Sequence, residues 1–534
     1  MGYGIALDLG TSGFRCQAVE IATGETVATA ITTRHPIPGM NVIDHVNFAL
    51  DSGGDVANGL MIATVSKLFE ELGIDLGRVV RVAVSGNPFQ LSIFQNIEIR
   101  DLAYAGKTTL RELGIVPPKR DGAVLKARDM GLNVPNAEVI IPPAVAHEIG
   151  ADAVAMLSET GAMDEGGVRI VIDYGTNAEM ALLVDDQIYT GSAAAGPALE
   201  GQQVRDGMLA APGAISDIVI DGGGWTNWVL DDSMLAVEGD TVNPATGETL
   251  RKGKARAKGI TGTGVIAAIS CGMESGIVDG ARIKTESGTL KLQDGVELTP
   301  GDIEEAGKAI GAIRAGYLTL MREAGLWTQD VPKAYMSGAT GLYVDAVKAQ
   351  KTGLVTPGAS EIVQFGNTSI RLARKMVTGE MTLDELREIS RGLRSKHVML
   401  ATSDVFRDIY SVEISHWMYD MPMSAFNEML DLSGLPHLQE PVESHNTKTS
   451  LRDLPDSEKG TFAILRDVGV RIGGRVEGCV SCGACVGECP EEAISEDGGS
   501  VAIRTDRCMG TACRRCEIAC PEKVLAIKNL RPAA

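Results

Sequence analysis

Eight of the ten cysteines in this 534-residue chain lie between Cys479 and Cys520. Cys479, Cys482, Cys485 and Cys489 are followed by Pro490. Such a C-x2-C-x2-C-x3-C-P run wraps three thiolates around one iron–sulfur cube and carries the fourth to a neighbouring cube. Cys508, Cys513, Cys516 and Cys520, followed by Pro521, repeat the unit. Crossing the fourth ligands predicts two 4Fe-4S clusters, one on Cys479, Cys482, Cys485 and Cys520, the other on Cys508, Cys513, Cys516 and Cys489. The second run has four residues, Met509 to Ala512, between its first two cysteines where two are usual, so the loop must bulge there. Zinc ribbons favour paired C-x2-C units with long spacers and fit this spacing less well. Two such clusters side by side conduct electrons.

Three glycine turns carry a second chemistry. Asp8-Leu9-Gly10-Thr11-Ser12-Gly13 follows the apolar run GIALDL, and Asp173-Tyr174-Gly175-Thr176-Asn177 follows RIVI. Each puts a carboxylate at a strand end, then backbone N–H groups and hydroxyls in a tight turn. Such turns form anion nests for phosphate, and the paired carboxylates can hold Mg2+ through water. In the third, Met336-Ser337-Gly338-Ala339-Thr340-Gly341, small residues let a flat adenine approach the backbone. No G-x-x-x-x-G-K-S/T string occurs, which excludes a P-loop.

The elements that must position these turns read as alternating strands and helices. FRCQAVEI, ETVATAITT, VVRVAVSG, EMALLV and DQIYTGS are strands; Ile303 to Leu320 and Thr382 to Arg394 have helical spacing. The expected fold class is α/β with a C-terminal α+β two-cluster domain, and the superfamily resemblance given below implies a two-lobed ATPase body. Expected boundaries are 1–165 and 166–435 for the lobes, 436–460 for a polar, proline-bearing linker, and 461–534 for the cluster domain. A formal net charge of −21 argues against a nucleic-acid partner and an anionic membrane surface. No apolar run is long enough to span a bilayer and the N-terminus lacks a signal-peptide pattern, so a cytoplasmic location is expected. Cys16 and Cys271 read as buried inert thiols. The basic cluster Arg251, Lys252, Lys254, Arg256 and Lys258 reads as a solvated loop, or else as a docking surface for an acidic partner.

Three such turns, in this order and at these separations, resemble the phosphate-1, phosphate-2 and adenosine motifs of the actin, sugar-kinase and Hsp70 superfamily. Asp8, Gly10, Thr11 and Ser12 are expected to meet phosphate from one lobe, and Asp173, Gly175, Thr176 and Asn177 from the other. By that resemblance Glu200, Gly201, Ser337, Gly338, Ala339 and Gly341 lie near the nucleoside. Asp8 and Asp173 are the candidate catalytic carboxylates; Asp173 either orients the attacking water or holds the water shell of Mg2+.

Longer strings resemble a narrower family. GIALDLGTSGFR, VSGNPFQLSIFQNIEIRDLAYAG, PPAVAHEIGADAVAM, DYGTNAEMAL, SAAAGPALEGQ, GITGTGV, EEAGKAIGAIRAG, AYMSGATG and VQFGNTS, with the terminal cysteine runs, resemble the ATP-dependent reductive activators of corrinoid proteins, most closely those serving methylamine methyltransferases. The resemblance covers essentially the whole chain and implies ATP-driven reduction of Co(II) corrinoid to Co(I). The implied partners are the methylamine methyltransferase corrinoid proteins and an upstream low-potential electron donor. The physics agrees: about 1.4 kcal/mol shifts a one-electron equilibrium tenfold, or about 59 mV, so a few kcal/mol from closure on ATP would bridge the shortfall of an ordinary donor. His147, in one family-like string, either packs structurally or faces the corrinoid partner. The competing class is a chaperone-like ATPase whose clusters sense redox state, but no peptide-binding β-sandwich is visible.

Overall fold

The computed structural model describes residues 2–104, 107–144, 150–394 and 396–533. The chain divides into two units, one of residues 1–155, 369–394 and 456–534, the other of 156–368 and 395–455.

The first unit is built on a seven-stranded sheet. Strands β1 (Tyr3–Leu9), β2 (Phe14–Glu20) and β3 (Thr26–Thr32) form an antiparallel meander. Strand β4 (Val79–Gly86) adds parallel to β1, β6 (Glu138–Ile141) adds parallel to β4, and β5 (Ala123–Lys126) closes that edge antiparallel to β6. Ile5, Leu7, Leu9, Val82 and Val84 are buried, as near-continuous apolar strands covered on both faces require. Helices α1 (Val42–Ser52) and α2 (Gly54–Glu70) supply Phe48, Leu60 and Leu68 to the same core. The short helix α3 (Pro88–Phe94) follows β4, with proline in its first turn and Asn87 as its cap.

The other edge of this sheet comes from the C-terminal segment. Thr461–Leu465 pairs parallel to β3, Thr461 opposite Ala28 and Leu465 opposite Thr32. Beyond it, Arg471–Arg475, Ile494–Asp497, Ser500–Arg504 and Arg531–Ala533 form a four-stranded antiparallel sheet that carries the two cysteine loops. Val468, Ile472, Ile503 and Leu530 belong to the same buried cluster as Leu7 and Phe48. The cysteine-bearing segment thus shares one hydrophobic core with the N-terminal sheet.

The second unit has a six-stranded sheet: His445–Lys448, Glu361–Gln364, Lys333–Ser337, then β7 (Val168–Tyr174), β8 (Asn177–Val184) and β9 (Gln187–Ala194). The first four run parallel and β7 to β9 are antiparallel, so this sheet, like the first, has a β-meander continued by parallel strands. The stretch 436–460, expected as a linker, therefore contains a sheet strand at 445–448, held by backbone pairing while its side chains stay exposed. A smaller five-stranded sheet includes Ala214–Asp221, Gly224–Leu230 and Ala236–Val242. Helix Pro300–Glu323 begins at a capping box of Thr299 and Asp302. It buries Arg314 against Glu413 of helix Asp404–Met418 in a two-pronged ion pair, with Nη2 to Oε2 at 2.6 Å.

In the basic cluster Lys254 and Lys258 are exposed, and the other three side chains have acidic partners. Arg251 pairs with Asp221 and Glu238, Lys252 with Asp240, and Arg256 with Asp294. Cys16 and Cys271 are buried, and burial pushes both thiols up, Cys271 to about 11. His147 lies outside the described residues. Among the described residues, no helix is long and apolar enough to cross a membrane.

Candidate functional site

In the first unit the candidate phosphate turn is the β1–β2 connection. Asp8 stands opposite Arg15 and Leu9 opposite Phe14, leaving Gly10 to Gly13 as the loop. Asp8 is 5 % exposed, and its Oδ2 lies 3.5 Å from Arg15 Nη1. A β-carbon on Gly10 would fall 2.9 Å from the Gly13 carbonyl oxygen, so that position tolerates only glycine without rearrangement. Thr11 Oγ1 accepts from Asn87 Nδ2 at 3.3 Å. In β4, Ser85 is the parallel partner of Asp8 and Gly86 that of Leu9.

One residue at this end was not singled out by sequence reasoning. Asp152 lies in the first turn of helix Ala151–Thr160, where its Oδ1 accepts from the backbone N–H groups of Gly150 and Ala153. Burial pushes its carboxyl up to about 6, and the negative charge of Asp8 pushes the same way. Gly150 packs on the β4–α3 corner, where a β-carbon would meet the Gly86 carbonyl oxygen at 2.7 Å. An aspartate after glycine in a first helical turn reads from sequence as an ordinary dipole partner, which is why it passed unnoticed. The fold makes it a second carboxylate acting on Asp8.

In the second unit β7 and β8 are joined by Gly175 and Thr176, with Asp173 opposite Glu179 and Tyr174 opposite Ala178. Thr176 Oγ1 donates to Glu200 Oε1 at 3.2 Å, and its carbonyl accepts from the Gly196 N–H at 2.9 Å. Ser337 is the parallel partner of Asp173, and Gly338 follows at φ +83° with its backbone against the Asp173 carboxylate. Thr340 Oγ1 donates to the Leu199 carbonyl at 3.3 Å. Asp173, Thr176, Glu200 and the Ser337–Gly341 turn are therefore gathered around one end of this sheet. Gly201, at φ +78°, packs its backbone on Met208.

The start of helix Gly262–Glu274 joins this cluster. Thr261 caps it by accepting from the Gly264 N–H at 3.1 Å. A β-carbon on Gly262 would overlap the Leu199 carbonyl, which brings the first helical turn against Leu199 and Glu200. The string GITGTGV signalled a glycine-rich turn, but not that it would meet a segment sixty residues upstream.

The cysteines gather across the two runs. Cys479, Cys482, Cys485 and Cys520 line one recess with Val476, Pro521 and Leu525. Burial pushes the Cys485 thiol up, with Cys479 and Cys482 adding to it. Backbone N–H groups, that of Leu525 foremost, hold Cys520 below the usual thiol range. Cys508 is pushed up to about 12 by burial, and Cys516, Cys489 and Cys513 act on it electrostatically. Cys489 Sγ accepts from the Ala493 N–H at 3.3 Å, and Cys508 Sγ from the Gly510 N–H at 3.4 Å. None of the ten cysteines is in a disulfide. Among the described residues no three His, Cys, Asp or Glu side chains close to metal-ligating distance. The longer second run forms a turn, Gly510–Ala512, that leans on the N-terminal sheet's helical layer, Gly510 against Pro38.

Comparison with known proteins agrees with this architecture. A family model described as the RACo middle region matches residues 3–165, and one described as the C-terminal domain of RACo, the ASKHA domain, matches 167–427. The chain is 46% identical over 518 residues, 96% of each chain, to the "[Co(II) methylated amine-specific corrinoid protein] reductase" of Methanosarcina barkeri. It is 25% identical over 399 residues to the corrinoid activation enzyme RamQ of Eubacterium limosum, covering 66% of this chain and 60% of that one. A solved reductive activator for a corrinoid, iron–sulfur protein superposes with a TM-score of 0.63 at 23% identity, over 77% of this chain and 66% of that one, a likeness of fold. The body is thus an ASKHA fold, and the chain belongs to the family of reductive activators of corrinoid proteins.

Proposed function

We propose that this chain reduces Co(II) corrinoid, carried on the corrinoid proteins of methylamine methyltransferase systems, to Co(I) at the expense of ATP. The observation that carries the reading is the 46% identity over 96% of the chain to a protein named as a reductase of a Co(II) methylated amine-specific corrinoid protein. That relative's name favours a reductase over a chaperone-like ATPase.

The residues divide the work by their chemistry. Asp8, Gly10, Thr11 and Ser12, and likewise Asp173, Gly175, Thr176 and Asn177, are the phosphate-binding candidates. Asp8 and Asp173 hold Mg2+ or orient the attacking water. Glu200, Gly201, Ser337, Gly338, Ala339 and Gly341 take the nucleoside, and the packing of Gly338 and Gly341 on β7 leaves no side chain there to bar a flat base. Asp152, raised by burial and by Asp8, gains most from a divalent cation that would hold it ionised.

The eight C-terminal cysteines fit two 4Fe-4S clusters, one on Cys479, Cys482, Cys485 and Cys520, the other on Cys508, Cys513, Cys516 and Cys489. The fit rests on the shared recess of the first set and on the N–H groups aimed at Cys489, Cys508 and Cys520, as thiolate ligands require. When bound, such clusters supply one-electron transfer. An upstream low-potential donor must reload them.

The test is to follow cobalt absorbance anaerobically, with a low-potential reductant and a mono-, di- or trimethylamine carrier protein. ATP should give Co(I) in quantity, while a non-hydrolysable analogue or no nucleotide should not. Equal Co(I) formation in all three would refute the coupling.

A further inference from the structure

A path of hydrogen bonds and packed backbone crosses the first unit from the phosphate turn to the second cysteine run. It begins at Thr11, whose Oγ1 accepts from Asn87 Nδ2 at 3.3 Å. Asn87 Oδ1 accepts from the Gln90 N–H at 3.0 Å. The Gln90 side chain, wholly buried, lies between two histidines: Oε1 is 3.0 Å from His35 Nε2 and Nε2 is 3.2 Å from His45 Nδ1. The two rings stack at 4.0 Å between centroids, and Phe14, the first residue after the phosphate turn, sets its edge on His35 at 5.0 Å.

One backbone group fixes every proton in this set. The Ile37 N–H donates to His35 Nδ1 at 3.0 Å, so that nitrogen carries no proton. His35 then bears its hydrogen on Nε2 and donates to Gln90 Oε1. The Gln90 amide must therefore turn its NH2 to His45 Nδ1, and His45 carries its hydrogen on Nε2. Both rings are neutral, as burial dictates: it holds His35 down to about 4 and His45 well below the usual histidine value. Ile37, whose N–H is held by His35, is followed in the chain by Pro38 and Gly39.

Gly39 then meets the cysteine loop. Its N–H donates to the Cys508 carbonyl at 2.9 Å. A β-carbon on Gly39, at φ +121°, would overlap Asp44, and one on Gly510, at φ +66°, would sit 3.0 Å from the Pro38 carbonyl oxygen. Gly510 lies among the four residues that lengthen the second run, and its N–H reaches Cys508 Sγ at 3.4 Å. The lengthened spacing thus packs against Pro38 and Gly39, beside the Cys508 contact. In a low-dielectric interior, a polar group that loses its partner is costly to leave unsatisfied, so a shift at one end is passed along rather than absorbed.

We propose that Gln90 is a positioning residue that couples the Thr11 turn to the Cys508 loop, so that bound nucleotide and the redox state of the cluster on Cys508, Cys513, Cys516 and Cys489 bias one another. This rests on the function proposed above. Coupling between two sites is reciprocal, so it can be read without cobalt. In the anaerobic full-length protein with Mg2+, the Kd of a non-hydrolysable ATP analogue should differ by about fivefold or more between oxidised and dithionite-reduced clusters. In Gln90→Met the two values should fall within about twofold of each other while the iron content is retained. His35→Met, which removes the acceptor of the Ile37 N–H on the far side of the path, should do the same and serves if Gln90→Met does not fold. Equal affinities in the natural chain, or a difference that survives both substitutions, would overturn the coupling alone. Absence of iron or of nucleotide binding would overturn the proposed function with it.

Discussion

Gly338 rests its backbone on Asp173: a β-carbon there would overlap the Asp173 carboxylate and meet the Tyr174 carbonyl oxygen at 3.2 Å. The adenosine turn and the second phosphate turn are thus packed as one piece, and neither can shift alone.

Gly338→Ala should therefore act through Asp173. The left-handed backbone alone costs about 1 kcal/mol for a residue with a side chain. The larger effect is displacement of the carboxylate, and ATP hydrolysis should fall by about tenfold or more. Asp173→Asn should lose hydrolysis at least as severely. Both variants should keep their full iron content, measured beside phosphate release. Normal hydrolysis in Asp173→Asn would remove that residue from the site.

The crossing of the two cysteine runs makes a pairing that spectra can read. Cys520→Ser and Cys482→Ser should leave the same residual paramagnetic signal, because both damage the set that begins at Cys479. Cys489→Ser and Cys513→Ser should leave the other. Each should lower the iron count from about eight toward about four. A residual signal that sorts by run, Cys489 with Cys482, would mean uncrossed ligation.

Asp152 gives a pH signature. Its carboxyl is raised to about 6, so the fold favours the protonated form. Stability from this group is present below the unfolded value near 4 and is lost as pH rises to about 6, with a constant penalty above. Without nucleotide, Asp152→Asn should be more stable than the natural chain at pH 7.5 by about 1–3 kcal/mol, and indistinguishable from it below pH 4. Urea unfolding at the two pH values checks this. Mg2+ with ATP should narrow the gap.

The Arg314–Glu413 pair joins helices Pro300–Glu323 and Asp404–Met418 inside the second unit, with side chains 7% and 0% exposed. Arg314→Met strands a buried carboxylate and should cost about 3–5 kcal/mol in urea unfolding. Combining it with Glu413→Gln should recover most of that loss. A single substitution that costs under about 1 kcal/mol would mean that water reaches the pair.

What the sequence made legible follows the physics of each element. Strands β1 to β4 and β7 to β9 announce themselves because apolar residues covered on both faces leave a strong signal, and their turns carry glycine for backbone reasons. The cysteine spacing is equally direct. Strand His445–Lys448 was hidden, because all four residues are exposed and it is held by backbone pairing and one side-chain bond, Asn446 to Gln364. The basic cluster was ambiguous because its acidic partners, Asp221, Glu238, Asp240 and Asp294, come from separate segments. Asp152 and Gln90 were invisible as site residues, since each owes its setting to neighbours distant in sequence: Asp8 for one, His35 and His45 for the other.

Strand Thr461–Leu465, hydrogen-bonded to β3, has a consequence for the order in which the molecule is made. β3 ends at Thr32, so at ribosomal rates of 5–20 residues per second its outer edge stays open for roughly 20–90 s before the partner strand is synthesised. An open strand edge invites pairing with other chains. Nascent chains of this protein therefore depend on prompt completion, and the segment that completes the first lobe is the one that brings the cysteines. Truncated chains lacking it should accumulate in aggregates, whereas full-length chains finish the N-terminal sheet only as the cysteine loops arrive.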